Sequence, residues 1–217
     1  MDTQAYPITL IIIAINGIVS LIGINNRDFM GKAIMWPYGI KRQHQYYRFI
    51  SSGFIHADYM HLIFNMFTFY FFGRNLELAF KLNALGGTTS FLALYILALI
   101  LSDLPTYFKN QDNRDYLCLG ASGAVSAVVF ATIIFSPWAS IYLYGAIKIS
   151  ALLYAVLYLA YCIYAGKNRK DHINHDAHLW GSLFGFGFTL LLVAILQPSL
   201  FTMILEQLKH PSLFGNG

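Results

Sequence analysis

Charge is what this 217-residue chain has least of: Asp, Glu, Lys and Arg make up 11% of it, against 57% hydrophobic residues. A soluble domain of this length carries roughly 25% charged residues, and it needs them to clothe its surface. So small a supply excludes a chain wetted all round and points to hydrocarbon as the solvent; the mean hydropathy of +0.55 agrees. Cysteine is nearly absent. Cys118 and Cys162 lie in or beside apolar runs, where a small buried hydrophobe is the expected role. Two cysteines so placed build neither a disulfide framework nor a zinc spacing. No basic residue precedes the first apolar run, and that run lacks a small-residue cleavage site. It is expected to remain as a membrane helix and not to be removed as a signal peptide. Repeats, low-complexity linkers and nucleotide, metal or organic cofactor motifs are lacking too, so no cofactor is expected.

What the chain does have is aromatic surface, 15 Tyr and 18 Phe, suited to the boundary where a ring sits in lipid and a hydroxyl in water. It also has a net charge of +4. The 14 basic residues are scattered between apolar spans and form no patch, which argues against nucleic acid and for anionic lipid headgroups. A membrane helix needs about 20 mostly apolar residues. Six such spans are expected, at residues 6–24, 60–80, 85–101, 117–135, 147–165 and 177–196. The predicted fold is all-α, six transmembrane helices in one membrane domain, 1–217. Residues 25–59 form a long loop with Trp36-Pro37-Tyr38-Gly39, and loops of that length carry structure or function of their own. Residues 136–146 read as a short uncharged turn, and 200–208 as a possible amphipathic helix in the tail.

Three polar clusters fall at membrane depth, where polar side chains are costly and mark function by default. His61 and Asn65 share one face of the second span, since positions four apart align. A polar clamp between helices explains that pair about as well as a donor site does. Gly120-Ala121-Ser122-Gly123 opens the fourth span. There the glycines admit a substrate backbone, and helix-start N–H groups can receive an oxyanion. Taken alone it reads better as small-residue packing. His178 precedes Gly181 and Gly185, a small-xxx-small face that brings a neighbour close. His172, His175 and His178 recur every third residue, which raises metal binding as a rival; no acidic or Cys ligand set accompanies them, so no metal site is expected. If the chain alternates up and down, spans two, four and six start on one membrane face. Ser, His and two donors then meet at one depth.

In this order these residues resemble the rhomboid intramembrane serine proteases. The match includes Tyr47-Arg48, His56, His61 with Asn65, Gly73 with Glu77, Gly120-Ala121-Ser122-Gly123, and Ala177-His178 with Gly181 and Gly185. The resemblance implies a dyad in which Ser122 attacks a scissile carbonyl and His178 takes its proton. His61, Asn65 and the Ser122 N–H would form the oxyanion hole. Arg48 would tie down the first loop and Glu77 would anchor the second span near a gate; His56 and the four glycines would support the site. Asp176 lies two residues from His178, points elsewhere on a helix, and is not expected to complete a triad. Single-pass membrane proteins are the implied substrates, cut in or near their membrane segment. The lipid bilayer is the other expected partner, and nucleic acid is not one. Many relatives carry Tyr one turn after the nucleophile, packed on the catalytic His; here that position is Ser126. Charge bias departs as well. The first, third and fifth loops hold 10 of the 14 Lys and Arg, which would place them in the cytoplasm; the resemblance implies the reverse and is preferred. Small size and the lack of appended domains lead to the expectation of a bacterial inner membrane. The competing functions are a non-proteolytic binder of membrane helices and a His-rich transporter or metal-handling protein.

Overall fold

A computed structural model describes residues 6–143, 146–168, 173–212 and 214. Its long helices are α1 (Pro7–Asn25), α5 (Tyr59–Leu82), α6 (Gly87–Asn110), α7 (Ser122–Phe135), α8 (Ala151–Asn168) and α9 (His175–Leu196). Short helices α2 (Arg27–Ala33), α3 (Pro37–Gln43) and α4 (Arg48–Ser51) fold the first loop, and α10 (Pro198–Leu208) follows α9. By length and composition α1, α6 and α9 can each cross a bilayer, and α7 is a shorter apolar helix.

The sequence marks where these helices start. Asp58 caps α5 by accepting from the His61 N–H at 2.8 Å, and Asn174 caps α9 by accepting from the Ala177 N–H at 3.1 Å. Such caps satisfy N–H groups that the first turn leaves without a partner. Pro7 opens α1, where a missing N–H costs nothing. The next two donors of α1, on Ile8 and Thr9, reach the Glu77 carboxyl group at 3.2 and 2.9 Å, and the Thr9 hydroxyl adds a third bond at 2.8 Å. Glu77 thus fastens α1 to α5.

Several boundaries differ from expectation. The fourth span starts at Ser122 and not at 117, because Cys118 pairs with Met35 in a β-bridge (N···O 3.0 and 3.2 Å) and Gly120 adopts φ +118°. The third span runs on to Asn110 through Pro105. Thr106 there donates to Asn174 at 3.0 Å and is buried, so tertiary bonding holds a turn that composition reads as loop. Residues 147–150, expected to open the fifth span, form strand β2 (Ile147–Ser150), antiparallel to β1 (Ser140–Leu143) within the expected turn. Ile141 opposite Ile149 and alternating polar partners suit a strand pair better than a helix start.

Apolar side chains fill the core around Phe69, Phe80 and Phe91, yet they also cover the outside, and polar groups are enclosed among them. Asn16, His56, Glu77 and Ser182 are fully enclosed, while Ile15, Ile18, Phe64, Phe67, Leu191 and Ile195 face outward. Asn16 donates to Tyr95 at 3.2 Å inside the bundle. Polar groups therefore find one another and the apolar surface faces the solvent, the arrangement a bilayer requires. The first loop, the α6–α7 loop and the start of α9 gather on one face. Lys41 bonds Asp112 at 2.8 Å, Trp36 donates to the Arg114 carbonyl at 2.9 Å, and Lys109 pairs with Asp176 at 2.9 Å. The Lys41 hydrogen bond, with Arg42 beside it, holds the Asp112 carboxyl below its usual range.

Candidate active site

Helix α7 has 14 residues. At 1.5 Å per residue it spans roughly 21 Å, short of the roughly 30 Å hydrocarbon core. A helix that short cannot span that core alone, and Ser122 at its start is reached by non-helical chain. Irregular backbone within a bilayer has to line protein or a hydrated cavity. A cavity of about 530 Å³ is present there, with Ser122, His178, His61 and Asn65 in its wall and exposed Asp58, Phe64 and Ile173 at its rim.

His178 Nε2 lies 2.7 Å from Ser122 Oγ. The contact depends on two glycines. A Cβ on Gly181 would strike the Gly123 backbone, and one on Gly185 would strike the Ala127 backbone. Only glycine lets α9 lie this close to α7. With Nε2 unprotonated the serine hydroxyl donates to it, the state a general base needs. Asp176 faces Lys109 and stays out of the pair.

The loop before Ser122 is held from several sides. The Gly120 N–H donates to the Ser52 carbonyl at 2.9 Å. A Cβ on Gly120 would lie 2.7 Å from the His61 ring, so glycine serves here both for its left-handed φ and for the approach of His61. His56 sits beneath. Its Nδ1 meets Ser20 Oγ at 2.9 Å, the Ser20 hydroxyl donates to the Phe54 carbonyl at 3.1 Å, and the Ala121 N–H points at Nε2 at 3.5 Å. That sequence of donors assigns the proton of a neutral ring to Nδ1. Burial pushes the His56 pKa down to about 3. No side chain caps the start of α7, leaving that end open to an anionic group. Asn65 donates to the His61 carbonyl at 3.0 Å through one amide hydrogen, and Nδ2 carries a second.

Arg48 is buried and donates to the Gly31 and Ile34 carbonyls at 3.0 and 2.6 Å and to Gln45 at 2.6 Å. It ties α2 to α4, and its burial lowers its pKa. Glu77 lies away from the cavity, joined to α1 as described, with Lys81 at 3.6 Å. The Gly73 face packs on Thr9. His175 turns its ring toward Tyr161 at 5.5 Å, and His172 lies outside the described residues.

Two contributors escape a reading of the sequence alone. Asn174 bonds Thr106 (3.0 Å), Asp103 (3.2 Å) and Cys118 (3.5 Å) besides capping α9, so it joins the His178 helix to the chain leading into Ser122. Its place three residues before Ala177 is an N-cap signal that could have found it. Tyr158 lies beside His178, ring centroids 6.4 Å apart and planes 21° apart, with no signal beyond the Tyr154, Tyr158, Tyr161 spacing along one helix face.

Fold and site together define a multi-pass helical membrane protein with a serine and a histidine in contact in the wall of a cavity. A family profile described as the Rhomboid domain matches residues 43–195, well over half of the chain, and the chain belongs to the rhomboid family. It is also similar to RHOMBOID-like protein 12, mitochondrial, of Arabidopsis thaliana, 29% identical over 181 residues that cover 79% of this chain and 54% of the relative. The chain thus spans about half the length of that relative.

Proposed function

We propose that the protein is an intramembrane serine endopeptidase that cuts single-pass membrane proteins in or near their membrane segment. The 2.7 Å contact between Ser122 Oγ and His178 Nε2, inside a cavity of about 530 Å³, carries this reading. Ser122 adds to the scissile carbonyl carbon as its proton passes to His178. The carbonyl oxygen becomes an oxyanion, met by the Ser122 N–H, His61 and the second amide hydrogen of Asn65. Collapse breaks the C–N bond, and His178 returns the proton to the leaving amine. Water, deprotonated by the same ring, then releases the acyl group and restores Ser122. Each oxyanion donor is worth roughly 2.7–4 kcal/mol of transition-state stabilisation. The bundle acts as one membrane domain in this reading, and its apolar exterior is the surface along which a substrate helix approaches. The bacterial inner membrane expected from size draws no support from a relative whose name is mitochondrial.

Cleavage of a model single-pass substrate in liposomes tests the reading. Wild type is expected to cleave, and Ser122→Ala and His178→Ala to lose cleavage by at least about 10³-fold, with a chelator making no difference. Cleavage that survives in Ser122→Ala overturns the mechanism. Cleavage that a chelator abolishes would favour metal-dependent hydrolysis in its place.

A further inference from the structure

Resting on that reading, we propose that Ser126 and Tyr158 form a positioning pair that fixes the plane of the His178 ring. Ser122 holds the imidazole at Nε2, and the His175 ring meets it edge-on at 6.1 Å between centroids. Tyr158, from α8, is the near-parallel neighbour: the two rings lie 21° apart, at 6.4 Å between centroids, so it bears on the plane of the ring. The Tyr158 hydroxyl lies 3.1 Å from Ser126 Oγ. Ser126 is four residues after Ser122, on the same face of α7. One strip of α7 therefore grips the imidazole directly through Ser122 and indirectly through Ser126 and Tyr158. Phe130, four residues further along that strip, backs the tyrosine at 5.8 Å, and Tyr154 stacks on it at 5.6 Å. Where relatives of the resembled type carry tyrosine on α7 itself, this chain has a serine there and brings the ring from the neighbouring helix.

The test measures the rate at which a fluorophosphonate probe labels Ser122, with kcat and KM for a model substrate, in purified full-length protein. Tyr158→Leu is expected to slow labelling and kcat roughly 10- to 100-fold, as a misplaced catalytic group does, with KM within about twofold. Tyr158→Phe and Ser126→Ala keep the ring and lose the hydroxyl link, and should cost roughly 2- to 5-fold. In the double variant Ser126→Tyr with Tyr158→Leu, a ring returned from α7 should recover most of the loss. Wild-type kcat in Tyr158→Leu, or a loss confined to KM, overturns the pairing. So does a double variant of wild-type heat stability that is no faster than Tyr158→Leu. If the probe labels wild type no better than Ser122→Ala, the protease reading itself falls, and the pairing with it.

Discussion

At the residue scale, the site rests on groups that do not react. His56 is the clearest. It is fully buried, it accepts from the residue before Ser122, and it does so only while neutral. The folded protein keeps it neutral down to about pH 3, whereas an unfolded chain protonates it near pH 6.5. Below pH 6.5 the unfolded state therefore binds a proton that the folded state refuses. Stability contributed by this site is intact above pH 6.5 and falls by roughly 1.4 kcal/mol per pH unit until about pH 3. His56→Gln offers the same acceptor and donor without a proton to titrate. Its heat stability is expected to fall less steeply than wild type between pH 6.5 and 4, measured by thermal unfolding in detergent; parallel curves would count against the role. Legibility at this scale is uneven. The meeting of Ser122 and His178 is readable because two apolar helices can accept polar residues only where these find each other. Tyr158 is not, since one tyrosine among 15 carries no mark of which neighbour it will face.

At the element scale, the α7–α9 seam decides whether Ser122 and His178 meet at all. Gly181 and Gly185 lie against backbone, which cannot yield as a flexible side chain can. Gly185→Val is expected to cost about 1–3 kcal/mol or more through overpacking, with cleavage lost as Ser122 and His178 part. Gly187→Val, on the same helix, meets nothing within 4 Å and should leave the heat-denaturation midpoint in place. Equal losses in both would point to helix propensity and not to the seam. The small-xxx-small pattern made this contact legible. The early end expected for the third span and the early starts expected for the fourth and fifth have one cause: hydropathy records whether a residue tolerates lipid, not which backbone it bonds. Pro105 and Asp103 look like a helix end until Asn174 is seen to bind that turn. Residues 147–150 look like a helix start until β1 is seen to pair with them.

At the scale of the whole molecule, an apolar exterior around a core that encloses polar groups makes each buried polar contact a fastening point, because the bilayer offers no competing partner. Glu77 is one of these. Glu77→Leu would leave the Ile8 and Thr9 donors facing a methyl group, and is expected to lower unfolding free energy by about 3–5 kcal/mol. Thr9→Val removes the hydroxyl bond alone and should cost about 1–2 kcal/mol. Thermal unfolding of both variants checks the order, and a larger effect from Thr9→Val would contradict it. The same fastening has a consequence in time. α1 precedes α5 along the chain by more than 30 residues, so it is made and enters the membrane while the group that completes its first turn is still unsynthesised. Until residue 77 arrives, the head of α1 has to stay near water or wander in depth. Biogenesis of the bundle therefore contains a waiting step: α1 enters before its seat on α5 has been made.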